Sequence, residues 1–204
     1  RLPGTTEIER EIRRRLESDQ EFAVCYADLD HFKEFNDRYG YYQGDRVIRM
    51  LAMILHDVVK GTCGDAAFVG HIGGDDFIFL VPLDAVGATC REIISVFDSL
   101  VPLQYSEQDR RAGYFFGKDR RGQLHRVPLM TLSIGVATNG ASLTGSMVSV
   151  NVPAVRTLLL AGVEDFRDQT RRRKDQRQQG TPTAILVVLL RTSHQKSAPT
   201  CPRA

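Results

Sequence analysis

Apolar side chains recur along this chain with two different spacings, and the spacing separates helices from strands. Positions three and four residues apart predict helices at residues 5–18, 31–60 and 84–101, the first capped by Thr5 or Thr6 and the second broken once between Gly40 and Gly44. Denser or alternating apolar runs predict strands at residues 21–29, 127–138 and 183–190. A loop at 139–151 and a helix at 153–179 precede the last strand.

Two further apolar runs, residues 66–72 and 78–81, flank Gly73-Gly74-Asp75-Asp76-Phe77. A short run of glycines and acids between two apolar runs is typical of the tight turn of a β-hairpin. A second hairpin is predicted within residues 103–127, where Asp119-Arg120-Arg121-Gly122 has turn composition.

Alternating helices and strands favour a parallel α/β sheet, but the central hairpin requires an antiparallel pair. We therefore predict an α+β fold of ferredoxin-like or palm type, with a central antiparallel sheet flanked by helices. One domain is expected over residues 1–190, followed by a flexible tail at 191–204.

Composition narrows the functional classes only slightly. The 204-residue chain is 42% apolar and 25% charged with a net charge of +2, which is ordinary for a globular protein and indicates neither a nucleic-acid nor a membrane partner. The four cysteines are scattered without a Cys-x-x-Cys pair, so no zinc site or disulfide framework is predicted. Without a signal peptide or a long apolar run, we expect a cytoplasmic domain.

Acidic residues at two predicted strand ends are the first candidates for chemistry. Asp28 and Asp30 close the first strand on one face, and Asp75 lies in the hairpin turn. If the two strands are neighbours, Asp28 and Asp75 converge on one or two Mg²⁺ ions that carry phosphate oxygens. Otherwise the hairpin is merely acidic and Asp28 or Asp30 caps the helix at His31, which is the favoured interpretation for Asp30.

Asn36 and Asp45 are candidates for reading a purine base. A carboxylate accepts two parallel hydrogen bonds from the N1–H and the exocyclic amine of guanine, which adenine does not offer. Each residue alone is equally explained as a loop cap.

Together with several further motifs, these residues resemble the GGDEF family of diguanylate cyclase domains. The resemblance rests on an entry motif, an acidic strand end, the following helix pair, the glycine-rich hairpin and a late strand, with sequences Leu2-Pro3-Gly4, Asp28-Leu29-Asp30-His31-Phe32-Lys33, Asn36-Asp37, Gly40, Gly44-Asp45, Gly73-Gly74-Asp75-Asp76-Phe77 and Thr131-Leu132-Ser133-Ile134-Gly135-Val136-Ala137. It covers residues 1 to about 190.

The resemblance implies a nucleotidyl cyclase-like fold and the condensation of two GTP molecules to cyclic di-GMP in bacterial signalling, in a homodimer attached to a sensory or effector domain. It implies a Mg²⁺ or Mn²⁺ cofactor. The resemblance implies that Asp28, the Leu29 carbonyl and Asp75 bind the metal, and that Asn36 and Asp45 recognise guanine. It implies phosphate contacts at His31, Phe32, Lys33 and Gly74. It also implies that Asp76, beside Asp75, removes a proton or stabilises charge.

Several positions depart from the family pattern. Asp76 replaces the usual glutamate, His71 an arginine and Tyr41 a histidine, while Gly64 and Ala67 replace the arginine and aspartate of a product-inhibition site. The late lysine and arginine that clamp the γ-phosphate have no clear counterpart; residues 171–174 and Arg177 either substitute for them or form a solvated basic face. Two alternatives to a cyclase therefore stay open: a degenerate domain that binds GTP to regulate its neighbour, and a dimerisation domain.

Overall fold

The computed structural model of the chain describes residues 1–18, 21–118 and 122–138. The predicted loop 139–151, helix 153–179, strand 183–190 and tail 191–204, and with them the basic residues 171–177, lie outside these ranges. The elements in chain order are α1 Thr5–Glu17, β1 Phe22–Asp30, α2 Phe32–Tyr39, α3 Tyr41–Cys63, β2 Phe68–Gly73, β3 Asp76–Pro82, α4 Val86–Leu100, α5 Glu107–Ala112, β4 Tyr114–Lys118, β5 Leu124–Pro128 and β6 Thr131–Thr138.

The described strands form a four-stranded antiparallel sheet in the order β2-β3-β1-β6 and a separate hairpin, β4-β5. This confirms the predicted α+β fold with a central antiparallel sheet flanked by helices. β1 lies between two partners, with Ala27 opposite Phe77 of β3 and Ile134 of β6. Its dense apolar run is explained by burial on both faces of the sheet.

The sheet separates two apolar clusters of unequal size. The larger packs under α2, α3 and α4 and contains alternate residues of β1, such as Cys25 and Ala27. The smaller packs under α1 and contains the intervening residues, such as Val24 and Tyr26. Because α1 covers only part of its face, the polar ends of β1, β3 and β6 can gather beyond it without disturbing the main core.

Four predicted boundaries were wrong in detail, each for a local reason. The N-cap of α1 is Gly4 rather than Thr5 or Thr6, and the Gly4 backbone N–H donates to Glu7 Oε2 at 3.1 Å. The long helical stretch breaks at Gly40 alone, whose φ of 86° suits glycine, and Gly44 lies inside α3.

The other two concern element starts. The helix expected from Asp84 begins as a 3₁₀ turn, Leu83–Ala85, and continues as α4 from Val86. Val127 and Pro128 belong to β5, so β6 starts only at Thr131.

The second predicted hairpin is confirmed as β4-β5, and α5, which was not predicted, precedes it. An aromatic cluster joins residues 103–128, here called the insertion, to α2. Phe35 stacks on Tyr39, and the Tyr105 ring meets both of these rings edge-on, with centroid distances of 5.0 and 5.4 Å. The Tyr39 hydroxyl donates to the buried carboxylate of Asp109. The insertion is therefore packed against the helix that leads from the acidic strand end.

Within the described ranges, no helix has both the length and the apolar content that a bilayer crossing requires.

A charged contact fixes α1 to the segment before β2. Arg15, only 5% exposed, donates to Glu11 Oε1 and to the Ala66 carbonyl, both at 2.7 Å. Hydrogen bonding from Arg14, and also from Arg15, lowers the pKa of Glu11 from 4.5 to about 2, against the opposing effect of burial. Since the folded pKa is lowered, the ionised pair stabilises the fold above about pH 4.5, and this contribution is lost as the pH falls towards 2.

We predict that Glu11→Gln lowers the free energy of unfolding at pH 7 by up to about 1 kcal/mol, since the pair is partly screened by solvent. The difference from the unaltered chain should shrink as the pH falls below 4 and vanish near 2. Urea unfolding at several pH values measures this, with Glu9→Gln, an exposed acid on the same helix, as the control. A pH-independent difference would contradict the assigned cause.

Candidate functional site

Three carboxylates meet at one end of the sheet. Asp28, Asp75 and Asp76 each offer an oxygen, and these oxygens all lie within 4.8 Å of one another; among the described residues this is the one such group of three potential metal ligands. The antiparallel register of β1 and β3 pairs Ala27 with Phe77, and continuing it by one residue sets Asp28 opposite Asp76. The condition for the convergence of Asp28 and Asp75, that the first strand lies next to the hairpin, is thus met.

The hairpin turn presents Asp75 through an unusual backbone path. Gly74 has a φ of 57°, a conformation that costs glycine little. His71, at the end of β2, stacks on the Phe77 ring with centroids 4.3 Å apart, and its Nε2 lies 2.9 Å from the Gly74 carbonyl oxygen. His71 thus packs against the turn, at the position where the resemblance to the family implies an arginine.

Asp76 is held differently from its two neighbours. It is 6% exposed, and its Oδ1 accepts a hydrogen bond from the hydroxyl of Tyr26 on β1. Asp28 and Asp75 are each partly exposed. The cluster therefore has one buried carboxylate and two that face solvent.

Asp30 does not cap the following helix, contrary to the favoured interpretation. Its Oδ2 accepts hydrogen bonds from Thr131 Oγ1 at 2.9 Å and Ser133 Oγ at 2.6 Å on β6. The helix itself starts at Phe32, after His31 in a left-handed conformation with a φ of 65°, and it has no side-chain cap. Because β6 supplies both hydroxyls, Asp30 links β1 to β6 instead of capping α2.

The predicted phosphate contacts lie at the start of α2, directly after the acidic strand end. His31 and Lys33 are exposed, whereas Phe32 packs into the large core. The Lys33 ammonium pairs with Asp37 at 2.9 Å, which raises the pKa of Lys33. At Phe32 the side chain is therefore not available to a phosphate, and only its backbone N–H, at the helix N-terminus, can contact one.

Of the predicted purine readers, Asn36 lies on α2 and Asp45 near the start of α3. The Asn36 side-chain oxygen is buried without a hydrogen-bond partner in the structure. A Cβ on Gly44 would lie 1.9 Å from that oxygen, so the absence of a side chain at Gly44 makes room for the amide. Asp45, on the next residue of α3, is exposed. A buried amide oxygen without a partner is costly, and a ligand donor would relieve that cost.

A cleft of about 990 Å³ extends from the hairpin to α3. Its walls come from the entry segment, the end of β2, Phe77 and one face of α3, which includes Ile48 and Arg49. Asp45 precedes Arg49 by four residues and therefore shares that face.

Sequence reasoning missed two residues of this region. Tyr26 precedes Asp28 by two positions on β1, and that spacing alone places it on the face of the acidic cluster. Arg49 follows Asp45 by one helical turn. Both spacings were visible in the sequence. The contact of Tyr26 with Asp76 across the sheet and the position of Arg49 in the cleft wall were not.

Comparison with known proteins identifies the family. The sequence model described as "Diguanylate cyclase, GGDEF domain" matches residues 2–109, more than half of the chain. The chain belongs to the GGDEF family.

Similar proteins include YhcK of Bacillus subtilis, 42% identical over 62 residues, and the diguanylate cyclase VdcA of Vibrio cholerae, 30% identical over 102. These matches cover 30% and 50% of this chain but 16% and 28% of the relatives, so the chain spans a small part of their length. The crystal structure of the GGDEF domain of DgcB from Caulobacter crescentus in complex with c-di-GMP is 22% identical, with 82% of this chain and 86% of that chain covered and a TM-score of 0.48.

The family match places most of the predicted motifs inside the GGDEF domain. Asp28, Asn36, Asp45 and the hairpin lie within residues 2–109, whereas the Thr131–Ala137 motif follows the matched segment. That motif nonetheless forms β6 and pairs with β1 along its length. The domain end near residue 190 stays a prediction.

We predict that Mg²⁺ raises the melting temperature of the unaltered GGDEF domain and does not raise that of Asp75→Asn. Without a cation the three carboxylates repel one another, so in metal-free buffer Asp75→Asn should be as stable as the unaltered chain or slightly more so. Thermal unfolding with and without Mg²⁺ measures both effects. Asp65→Asn, an exposed acid before β2, is the control and should keep the Mg²⁺ response. A cooperative loss of folding in Asp75→Asn would instead make the turn acid structural.

Proposed function

We propose that this GGDEF domain is a diguanylate cyclase, which condenses two GTP molecules to cyclic di-GMP with release of two pyrophosphates. The observation that carries the proposal is the convergence of Asp28, Asp75 and Asp76 next to the start of α2. Three carboxylates within 4.8 Å are unfavourable on their own and suit a divalent cation with phosphate oxygens.

The donor set at the strand end fits Mg²⁺ or Mn²⁺. Asp28, Asp75 and the backbone carbonyl of Leu29 would hold the ion, all of them the hard oxygen ligands that these ions prefer. When bound, the ion neutralises charge that develops on the phosphate oxygens.

Phosphate and base recognition fall to the two helices. In this proposal backbone groups from His31 to Lys33 and at Gly74 bind the phosphates, as at other helix N-termini. Asp45 accepts the N1–H and amine of guanine, and Asn36 binds the same edge of the base. The buried oxygen of Asn36 would gain its hydrogen-bond partner from the nucleotide.

The reaction needs two copies of the chain, each with one GTP. The 3′-hydroxyl oxygen of one GTP forms a bond to the α-phosphorus of the other, the bond to the bridging oxygen breaks, and pyrophosphate leaves with the electron pair. The second bond forms in the same way in the opposite direction. Asp76 is proposed to take the hydroxyl proton or to stabilise the charge, beside Asp75.

We further propose that the domain acts in the cytoplasm and is attached to a sensory or effector domain. Gly64 and Ala67 offer no charged side chain at the positions of the product-inhibition motif, so feedback through that site is not expected.

One observation favours a second candidate, a GTP-binding domain without turnover. Asp76 is one methylene shorter than the family glutamate, and Tyr26 holds it on the sheet. A small displacement of a reacting carboxylate is enough to cost a large factor in rate.

Gly44→Ala tests guanine recognition. We expect it to weaken GTP binding at least tenfold, because the new methyl group occupies the place of the Asn36 oxygen. Because the added methyl group clashes with the buried Asn36 amide, we do not expect the usual gain in helix stability from this variant. Gly61→Ala in the same helix meets nothing within 4 Å, so it should stabilise the helix by up to about 1 kcal/mol and leave GTP binding unchanged. Calorimetric titration of both variants with GTP and with ATP measures this. ATP should bind the unaltered chain at least tenfold more weakly than GTP, and equal affinities would overturn the assignment of Asn36 and Asp45.

Asp76→Glu separates the two candidate functions. If the short side chain limits turnover, glutamate should raise kcat by about tenfold, which corresponds to about 1.4 kcal/mol. KM for GTP should change little, since the gain arises in the transition state. Chromatographic detection of cyclic di-GMP with GTP and Mg²⁺ measures it. GTP binding with no product from either form would overturn the cyclase and leave the GTP-binding domain.

A further inference from the structure

The hydroxyl of Tyr26 donates a hydrogen bond to the acidic cluster from the interior of the protein. Its ring lies in the small core under α1, among Ile8, Ile78 and neighbouring apolar side chains. Its oxygen reaches out of that core to Asp76 Oδ1, fifty residues away in sequence.

The position of the pair follows from the sheet. Tyr26 lies opposite Ile78 in the register of β1 and β3, so Asp76 is its diagonal neighbour on the same face. Diagonal neighbours are within reach of a long side chain, and Tyr26 has one. Asp28 shares this face, two residues along β1.

The contact has an electrostatic consequence for the cluster. Asp76 is almost fully buried, and two other carboxylates lie within 4.8 Å of it. Like charges at this distance repel, and a buried carboxylate needs hydrogen-bond donors to offset lost hydration. The hydrogen bond from Tyr26 keeps Asp76 close to Asp28 and Asp75 despite the repulsion.

We propose that Tyr26 is the positioning residue for Asp76: its hydroxyl holds the shortened carboxylate beside Asp28 and Asp75, where its negative charge supports cation binding and where it can act on the reacting hydroxyl. This inference rests on the proposed function. Tyr26 itself touches neither substrate nor metal, and it acts only through Asp76. Hydrogen-bond partners of this kind commonly change metal affinity or activity by 10- to 100-fold when they are removed.

Tyr26→Phe tests the proposal, because it removes the hydroxyl and keeps the ring in its core. Binding of Mn²⁺ to the nucleotide-free chain, followed by electron paramagnetic resonance, is the first readout. We expect affinity to fall about tenfold in Tyr26→Phe, as Asp76 turns away from its like-charged neighbours. Turnover of GTP is the second readout: kcat should fall about tenfold with KM within about twofold.

A matched control removes a buried hydroxyl elsewhere. Tyr105 is 5% exposed, belongs to the large core, and its hydroxyl accepts from the Met130 backbone N–H at 2.8 Å. Tyr105→Phe should lower stability without any change in Mn²⁺ affinity or kcat. Equal behaviour of Tyr26→Phe and Tyr105→Phe in both readouts would reduce Tyr26 to a structural residue and overturn the proposal.

A second variant makes the test specific to Asp76. In an Asp76→Asn background, Tyr26→Phe should change Mn²⁺ affinity by less than twofold, because the charge that Tyr26 positions is gone. An undiminished effect there would overturn the assigned route through Asp76. If the unaltered chain binds Mn²⁺ and responds to Tyr26→Phe but makes no product, the cyclase activity fails while the positioning role stands. If it binds no Mn²⁺ at all, both fail.

Discussion

The antiparallel register of β1 between β3 and β6 is the constraint on which the rest of the structure depends. Ala27, fully buried, faces Phe77 on one side and Ile134 on the other. A slip of one residue would move every side chain of β1 to the opposite face, so the two apolar clusters fix the register strongly. The same register carries Asp28 next to the hairpin, and the position of the acidic site is therefore a by-product of core packing.

The acidic site is held together against its own electrostatics. Asp28, Asp75 and Asp76 repel one another, yet Asp76 is buried and Asp30, two residues from Asp28, is bound by hydroxyls of β6. The hydroxyl of Tyr26 donates to Asp76, and two hydroxyls of β6 donate to Asp30. These hydrogen bonds stabilise the negative charge at this end of the sheet. A bound cation would turn this repulsion into binding energy.

Small residues carry as much of the candidate site as charged ones. Gly74 permits the left-handed turn that presents Asp75, and Gly44 leaves space for the Asn36 amide between α2 and α3. Gly40 alone separates α2 from α3, and the change of direction there brings Asn36 and Gly44 into contact. The departures from the family, Asp76 and His71, both keep a contact in the hairpin region, with Tyr26 and with Gly74 respectively.

The sequence by itself determined the described helices and strands except α5, together with the hairpin, the family and the choice of candidate residues. These are local properties: apolar periodicity, glycine in a turn, and short motifs whose members lie within a few residues of one another. Element starts such as Gly4 and Thr131 were displaced because caps and turns depend on neighbours outside the element. The tertiary structure alone decided that Asp76 is buried on Tyr26 and that Asp30 binds Thr131 and Ser133 rather than a helix end. Those contacts join residues 50 to 103 positions apart, and they follow from strand pairing, which local pattern does not encode.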